Sequence, residues 1–533
     1  MNVFDNALIF NPADCSWTLQ AFAVENGIIT MISNPGDIAG DDVYDLKGKR
    51  VVPGLIDTHV HIESSLLTPK EFGRLILSHG VTTAVCDPHE IANVAGTAGI
   101  DFMLKDAEKS PADLYFMIPS CVPATPTEVG GAVLYAADLM KYRNNPKVLG
   151  LGEMMNVPGV LADDPEVLKK LSLFTHVDGH APGLTGKDLC RYAAHGIKTD
   201  HECTTPEEAR EKIRLGMFVL LREGNAAKNV AALTPAVTKE TMSRCAFATD
   251  DRHADSLERN GSIDKCIRVA QKAGMPLETA LRLATLSAAE CIGLSDRGII
   301  APGKIADFCV LDDGKEFKVK EVYKAGVLST EIIPDRTTPE VLMPAFNIPE
   351  ITADDLELPD GKLKVIEVLP ESLITETSVM TKDDDGVNII VCIDRYRGEK
   401  FSVCAVHGLN IRKGAVASSI SHDAHNIIAA GASKSDLLKA IDAVKKVKGG
   451  MAVCIDGRIT LLPLPVGGLM TDEPYEVVCK KLDKLTEITE ETEGVRHLYM
   501  RLGFLGLTVI PHLKITPRGL FDGDAFCDTE MRL

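Results

Sequence analysis

Eight short apolar runs alternate with helix-like segments between residues 51 and 295, and this alternation constrains the fold more than any other feature. The runs are VVPGLIDTH, VTTAVCD, LYFMIPS, VLGLGEM, FTHVDGH, IKTDHE, MFVLLRE and CAFATDD. Each is nearly continuous in apolar residues, as is typical of a parallel strand that is covered on both faces. Segments such as TPKEFGRLILSHG and TPEEAREKIRLG separate them. A strand–helix repeat that occurs eight times predicts an α/β fold of the TIM type, a (β/α)₈ barrel.

The two flanks of this region predict a small accessory β-sandwich. The segment AFAVENGIITMI places Asn26 and Gly27 between two apolar runs, which is a strong hairpin signal. Strand-like patterns return in GIIAPGKIADFCVLDD and FKVKEVYKAGVL, at residues 298–328. We therefore expect residues 1–50 and 296–340 to form one β domain beside the barrel of residues 51–295.

The last third of the chain has a different pattern. VNIIVCIDRY and KFSVCAVHGL predict strands, and SKSDLLKAIDAVKKVK predicts an amphipathic helix that begins at a serine cap. The segment TTPEVLMPAFNIPEITADDLELPD is rich in proline and aspartate and predicts a linker. We expect residues 341–533 to form a C-terminal α+β domain.

The composition of the chain indicates which classes of binding partner are excluded and which cellular compartment to expect. The formal net charge of −19 argues against nucleic acid as a partner, because phosphate binding needs a basic face. The 14 cysteines are scattered without a C-x-x-C pair, which predicts free thiols in a reducing compartment. The amino terminus lacks a signal-peptide pattern, and no apolar stretch has the length of a membrane span. We expect a cytoplasmic protein with no membrane partner.

Histidines and carboxylates follow nearly every predicted barrel strand. They are His59 and His61 after strand one, Glu153 after strand four, His180 after strand five, His201 after strand six and Asp250 after strand eight. The carboxyl ends of barrel strands meet at one mouth, so these side chains should converge. Imidazole and carboxylate together suit a divalent ion such as zinc, manganese or iron. The sequence therefore predicts a metal-dependent active site at this mouth of the barrel.

These residues also carry a family resemblance. PGLIDTHVHIESS, a later strand-end glutamate, two single histidines and a terminal ATDD resemble the amidohydrolase superfamily. Seven further pieces resemble the bacterial adenine deaminase family: SCVPAT, GEMMN, GHAPGL, DHECTTPEEA, ATDDRH, SISHDAHN and PLPVGGLMTD. These pieces span nearly the whole chain, so their combination is a specific indication of resemblance to this family.

The resemblance implies two divalent metal ions, manganese or iron, with zinc as a further candidate. It implies that His59 and His61 hold one ion, that His180 and His201 hold the second, that Glu153 bridges them, and that Asp250 completes the first site and contacts the attacking water. Many members of the superfamily have a carboxylated lysine at the strand-four position. The glutamate found here argues against the cyclic-amide branch and fits adenine deaminase.

The implied reaction is the hydrolytic deamination of adenine to hypoxanthine and ammonia, a step of purine salvage. Metal-activated hydroxide would attack C6, and Asp250 would pass the proton of the water to the departing amine. Asp251 would hold the purine ring, by likeness to the paired aspartates of other purine deaminases. The catalytic residues implied are thus Asp250 and Glu153.

Three further strand-end residues are candidates for contact with the substrate. Arg222 and Glu223 follow strand seven, where they either meet the substrate or pair with each other. Ser120 follows strand three beside Cys121, and no dedicated base is assigned beside them, so lining of the pocket is favoured over nucleophilic attack.

Other polar residues are candidates for a lid or for orienting the ligand histidines. Glu63, Asp87, His89 and Glu90 lie just beyond strand ends, and each is equally well explained as a solvated loop charge. His422 and His425 lie in SISHDAHN, which either reaches over the barrel mouth or forms a solvated turn.

Two other functions compete with this interpretation. The chain could be another amidohydrolase that acts on a different nucleobase or a cyclic amide, or an inactive scaffold. The scaffold is disfavoured because no ligand position has become apolar. The expected partners are the small-molecule substrate adenine and further copies of the chain in a homo-oligomer, most simply a dimer.

Overall fold

The chain begins with five strands that belong to a sheet beside the barrel. The structure is a computed structural model that describes residues 1–533 except 313, 315, 338–341, 343, 371 and 373. The domain boundary predicted between residues 340 and 341 therefore lies outside the described residues. The strands are β1 (Asn2–Asn11), β2 (Ser16–Glu25), β3 (Ile28–Ser33), β4 (Asp42–Asp45) and β5 (Arg50–Pro53). Asn26 and Gly27 have positive φ angles of 51° and 79° between β2 and β3, as a tight hairpin turn requires.

The eight barrel strands follow in the predicted order. They are β6 (Leu55–Val60), β7 (Val81–Cys86), β8 (Asp113–Ile118), β9 (Val148–Met154), β10 (Val177–Gly179), β11 (Thr199–Asp200), β12 (Phe218–Arg222) and β13 (Cys245–Ala248). Strands β6 and β7 are buried at every position, because helices cover the outer face and side chains fill the interior. Strands β6–β10 and strands β11–β13 form two parallel sheets.

Backbone hydrogen bonds join the two parallel sheets into a closed ring. Lys198 N donates to Val177 O over 2.9 Å between β10 and β11. Asp250 N donates to His59 O over 3.1 Å between β13 and β6. The ring is the predicted TIM-type barrel, and the carboxyl ends of all eight strands face one mouth.

Thirteen described helices accompany the barrel. They are α1 (Pro69–Ser78), α2 (His89–Ala95), α3 (Thr97–Ala107), α4 (Ala136–Leu139), α5 (Val157–Leu161), α6 (Pro165–Leu171), α7 (Gly186–Ala194), α8 (Pro206–Arg214), α9 (Val230–Leu233), α10 (Ala254–Asn260), α11 (Ile263–Lys272), α12 (Leu277–Ala284) and α13 (Leu286–Ile292). Local sequence sets their ends, as α8 illustrates: Thr205 Oγ1 accepts from Glu208 N over 3.3 Å, and Pro206 occupies the first helical position.

Strands from both flanks form the accessory sheet, as predicted. The later strands are β14 (Phe308–Leu311), β15 (Val319–Lys324) and β16 (Val327–Leu328), and the order is β16-β15-β14-β5-β1-β2-β3, with β4 paired to β1. The apolar run VVPGLIDTH is divided between two sheets, because β5 pairs with β1 and β14 whereas β6 enters the barrel. The division falls at Gly54, where a Cβ atom would lie only 2.3 Å from Thr82 Oγ1.

The C-terminal domain contains a large mixed sheet and a small one. The strands are β17 (Leu363–Val368), β18 (Thr375–Met380), β19 (Asn388–Ile393), β20 (Phe401–His407), β21 (Ala415–Ser418), β22 (Ile427–Gly431), β23 (Gly450–Ile455), β24 (Arg458–Pro463), β25 (Leu513–Thr516), β26 (Gly519–Asp522) and β27 (Cys527–Thr529). The large sheet has the order β18-β17-β20-β19-β22-β21-β23-β24, and the small sheet has the order β25-β26-β27.

Three helices complete this domain, which is the predicted α+β unit. They are α14 (Lys434–Val447), α15 (Tyr475–Glu490) and α16 (Leu498–Phe504). Ser433 caps α14 by accepting from Asp436 N over 3.3 Å. The apolar face of α14 packs on the large sheet, where Leu437 and Val444 are fully buried. None of the described helices is long and apolar enough to cross a membrane.

The C-terminal domain packs on the mouth of the barrel. Asn426 Nδ2 donates to Val129 O over 2.8 Å, and Thr471 N donates to Leu66 O over 2.8 Å. Both acceptors lie in loops that follow barrel strands. The segment 419–426, which we call the mouth loop, thus lies against the barrel rather than in solvent, and His422 and His425 are buried.

Candidate active site

The two histidines of the first strand face one carboxylate from the last strand. His59 Nε2 and His61 Nε2 lie 3.2 Å apart. Asp250 Oδ1 lies 3.6 Å from the first nitrogen and 3.2 Å from the second. Asp250 is the second residue after β13 and has a positive φ of 55°, and its backbone nitrogen donates to His59 O of β6. These three buried residues form a compact set of metal-ligand atoms.

Glu153 lies between the histidines of the other strands. Its Oε1 is 3.3 Å from His61 Nε2, and its Oε2 is 2.7 Å from His180 Nδ1 and 3.2 Å from His201 Nε2. One carboxylate therefore contacts residues from three other strand ends. The structure brings all six predicted metal residues into one cluster, which we call the strand-end cluster.

The strand-end cluster has the electrostatics of a cation site. Burial alone would raise the pKa of Glu153, but His180, His201 and His61 hold it well below its usual value. Burial alone would lower the pKa of His61, but Asp250 and Glu153 hold it well above its usual value. The carboxylates thus favour positive charge where the imidazole nitrogens converge. A divalent ion would supply that charge in place of protons, so these residues fit a metal.

Residues behind the predicted ligands orient them. His61 Nδ1 donates to the backbone oxygen of Asp87 over 2.9 Å, which leaves its Nε2 available as a ligand. The Asp87 carboxylate accepts from Glu153 N over 2.8 Å and so also holds the start of that loop. Asp178 Oδ2 lies 3.7 Å from His59 Nδ1. The sequence left open whether Asp87 orients a ligand histidine or is a solvated loop charge. Its side chain is buried at the site and is therefore not solvated.

Arg222 and Glu223 do not pair with each other but have separate partners. Arg222 Nη1 donates to Asp250 Oδ2 over 2.7 Å, and Arg222 Nη2 donates to Glu202 Oε2 over 3.0 Å. Glu223 Oε1 lies 3.4 Å from Lys265 Nζ. Arg222 is therefore part of the polar network around Asp250, whereas Glu223 pairs with a lysine of α11.

Asp251 and the mouth loop meet through a second group of polar residues. Ser64 Oγ donates to Asp251 Oδ1 over 2.6 Å and lies 3.4 Å from Glu90 Oε1. His422 Nδ1 lies 2.9 Å from Glu90 Oε1, and His425 Nε2 lies 3.6 Å from Glu90 Oε2. The mouth loop thus contacts the first turn of α2 directly.

The remaining predicted residues also lie around the mouth. Ser120 Oγ donates to the backbone oxygen of Glu153 over 2.5 Å, so its hydroxyl supports the Glu153 loop. His89 Nδ1 lies 3.3 Å from Glu153 Oε1, close enough to belong to the metal-ligand atoms. Glu63 Oε1 accepts from Ile91 N over 3.1 Å and thereby fixes the start of α2.

Three residues of the site were not singled out from the sequence. They are Ser64, Asp178 and Glu202, which contact Asp251, His59 and Arg222 respectively. Glu202 directly follows His201, and His201 Nε2 lies 3.5 Å from its Oε1. Asp178 lies in β10 and precedes His180, the residue directly after that strand, by two positions; this i, i+2 spacing is a signal that could have identified it.

Comparisons with known proteins agree with this arrangement. Residues 50–329 match the amidohydrolase family, and residues 367–527 match the adenine deaminase C-terminal domain. An adenine deaminase of Methanoregula boonei is 47% identical over 99% of this chain and 95% of its own length. Adenine deaminase 2 of Carboxydothermus hydrogenoformans is 42% identical, and an adenine deaminase of Bacillus licheniformis is 38% identical, each over 98% of this chain and 95% of its own length.

Among solved structures, enamidase, a member of the amidohydrolase superfamily, aligns with 63% of this chain and 97% of its own at 19% identity, with a TM-score of 0.46. The family assignment depends on the full-length relatives and the two domain matches. The amidohydrolase superfamily is metal-dependent, in agreement with the histidine and carboxylate clusters at the barrel mouth. The chain is a member of the adenine deaminase family within the amidohydrolase superfamily.

Proposed function

We propose that this protein hydrolyses adenine to hypoxanthine and ammonia, as a step of purine salvage. The observation that carries the proposal is similarity over 99% of the chain to a protein named adenine deaminase. The strand-end cluster supports it, because histidines and carboxylates converge there as a metal-dependent hydrolase requires.

We assign the metal ligands from the contacts of the cluster. His59, His61 and Asp250 would hold one ion, His180 and His201 would hold the second, and Glu153 would contact both. His89 is a further candidate, because its Nδ1 lies as close to Glu153 Oε1 as His61 Nε2 does. Mixed nitrogen and oxygen donors suit manganese or iron, and also zinc. Bound divalent ions lower the pKa of a water molecule, so that it can attack near neutral pH.

Asp250 is placed to move the proton of the attacking water. Its Oδ2 accepts a hydrogen bond from Arg222, and its Oδ1 faces His59 of β6 and His61 directly after that strand. The Oδ1 atom would accept the proton from the water and deliver it to the departing amine. Arg222 fixes which oxygen performs this step, and we assign it this positioning role in addition to any contact with the substrate.

Asp251 would recognise the purine ring. A carboxylate can only accept hydrogen bonds, and adenine as the free base offers a ring N–H as well as its amine. The donor Ser64 already holds Asp251 Oδ1, so Oδ2 is the atom that would accept from adenine. Ser120 would support this pocket indirectly through the Glu153 loop, whereas Glu223 has its lysine partner instead.

The mouth loop would exclude bulk water from the reaction. His422, His425 and their neighbours are buried against the barrel, and the residues of the strand-end cluster other than His180 are at most 4% exposed. Exclusion of water strengthens electrostatic interactions at the site and protects the bound substrate. The C-terminal domain is therefore assigned a role in closing the mouth.

We also propose a compartment and an assembly. All 14 cysteines are free, which supports a reducing compartment such as the cytoplasm. The homo-oligomer, most simply a dimer, stays a prediction.

The test of the function is ammonia release from adenine and from adenosine, with manganese or iron supplied during expression. We expect turnover of adenine and little of adenosine, because the ribose would have to enter a mouth that the C-terminal domain covers. Cytosine, guanine and hydantoin complete the panel. Preference for adenosine, or for another member of the panel, would contradict the assignment of adenine as the substrate. The broader interpretation as a metal-dependent hydrolase would remain.

A further inference from the structure

The shortest polar contact of Glu90 among the described side chains is with the C-terminal domain. Ser64 has one hydroxyl hydrogen, which its 2.6 Å contact with Asp251 Oδ1 uses, so its 3.4 Å contact with Glu90 is weak. His422 Nδ1 lies 2.9 Å from Glu90 Oε1. His425 Nε2 is 3.6 Å from the other oxygen, beyond hydrogen-bond length. The His422 imidazole is therefore the side chain best placed to orient the Glu90 carboxylate.

The ring of His422 is itself held in place from another side. It stacks on Phe504 of α16, with ring centroids 4.3 Å apart and an interplanar angle of 10°. His422 thus makes two kinds of contact that can be separated, ring contacts within its own domain and a close polar contact with the barrel. Only the second interaction reaches the active site.

Glu90 and Asp251 lie at the edges of the strand-end cluster. Glu90 follows His89, whose Nδ1 is 3.3 Å from Glu153 Oε1, and Asp251 follows Asp250. A cavity opens beside them, with walls from both domains: Ser64, Leu66 and His253 from the barrel, and Ser418, Ile420 and His422 from the C-terminal domain. A substrate at the cluster would extend toward this cavity, with the two carboxylates beside it.

We propose that His422 is a positioning residue for the substrate: its Nδ1–H fixes the Glu90 carboxylate, which then accepts a hydrogen bond from adenine beside Asp251. This inference rests on the proposed function. Adenine has N–H groups on its imidazole ring and on its exocyclic amine, and two fixed carboxylates can accept from both. A carboxylate that is oriented beforehand binds more tightly than one that must be ordered on binding.

Two substitutions separate the hydrogen bond from the stacking. His422→Phe keeps an aromatic ring against Phe504 but has no donor, and His422→Asn keeps a donor near the Nδ1 position but has no ring. We expect His422→Phe to raise KM for adenine about 10- to 100-fold, the value of a hydrogen bond to a charged group. We expect His422→Asn to keep KM within about threefold of the wild type.

The matched control is His407, another histidine of the C-terminal domain. Its Nδ1 lies 2.8 Å from Glu367 Oε1 within the large sheet, away from the barrel. His407→Phe should leave KM and kcat unchanged. Metal content by elemental analysis should be the same in all variants, because His422 is outside the strand-end cluster.

Each other result overturns the proposal. If His422→Asn lost affinity while His422→Phe kept it, the role of the residue would be packing against Phe504. If His422→Phe lost metal, Glu90 and the two histidines of the mouth loop would form a metal site instead. If His422→Phe did not fold, His422→Asn would serve as the test. A rise of about tenfold in the KM of His422→Asn for adenine would contradict the proposal. Wild-type turnover of adenine tests the proposed function separately.

Discussion

Arg222 Nη1 donates to Asp250 Oδ2 over 2.7 Å, while Asp250 Oδ1 faces His61 Nε2 at 3.2 Å. The same guanidinium contacts Glu202, so one arginine holds two carboxylates. Lysine has the charge of arginine but not its planar fork. We expect Arg222→Lys to lower kcat about 10- to 100-fold, because Asp250 loses its orientation.

The measurement for this variant is steady-state turnover of adenine at saturating metal. Arg191→Lys is the control, because Arg191 also pairs with a carboxylate, that of Asp163, but both side chains are about half exposed, at 49% and 51%. Exposed ion pairs of this kind contribute little to the stability of a protein. A wild-type kcat for Arg222→Lys would show that the guanidinium does not set the geometry of Asp250.

Glu153 is predicted to be required for metal as well as for turnover. Its two oxygens face imidazoles from different strands, and an amide cannot supply the same negative charge to both sides. Glu153→Gln should therefore lose activity together with bound metal, as measured by elemental analysis of the purified protein. Glu207→Gln, at a side chain that is 78% exposed, should keep both. Full metal occupancy in Glu153→Gln would contradict the bridging role.

The two adjacent aspartates should differ in their effects. Asp250→Asn removes the proton acceptor, so turnover should be abolished although metal can remain on the histidines and Glu153. Asp251→Asn should mainly raise KM for adenine and reduce kcat, because Ser64 can still reach the remaining side-chain oxygen. Steady-state kinetics with parallel metal analysis distinguish the two. Equal loss of kcat in both variants, with KM unchanged, would refute separate roles.

The barrel could be predicted from the sequence because its signal is local. Each strand is a short apolar run, and each predicted ligand lies at the end of one, so strand order alone brings the ligands to one mouth. The division of the first run at Gly54 was missed, because the apolar pattern continues across the glycine while pairing partners change. The sequence pattern of such a short apolar run does not indicate which of two sheets each half of it will pair with.

Side-chain contacts between distant segments of the chain could not be predicted from the sequence. Arg222 and Glu223 are neighbours in sequence, which left contact with the substrate and mutual pairing as alternatives, but successive side chains of an extended chain point to opposite faces. Arg222 therefore meets Asp250, whereas Glu223 meets Lys265. The contact of His422 with Glu90 spans 332 positions and depends on how two domains pack, which no local pattern encodes.

Lys212 is predicted to stabilise the loops that carry two of the proposed metal ligands, His180 and His201. Its fully buried ammonium lies 2.9 Å from Asp200 Oδ2 and 2.9 Å from Glu208 Oε1. Asp200 in turn accepts from the backbone nitrogens of Ala181 and Glu202, which are the residues directly after His180 and His201. A single buried cation therefore fixes both of these turns through one carboxylate.

Lys212→Met keeps most of the side-chain volume but leaves two buried carboxylates without their counter-charge. Removal of one partner of a buried ion pair costs about 3–5 kcal/mol, so the thermal unfolding midpoint should fall clearly. Metal content should fall as well, because the turns after His180 and His201 lose their anchor. Lys169→Met removes an exposed pair with Glu166 and should change stability by less than about 1 kcal/mol. An unchanged midpoint for Lys212→Met, measured by calorimetry beside this control, would mean that Asp200 is held by its backbone donors alone.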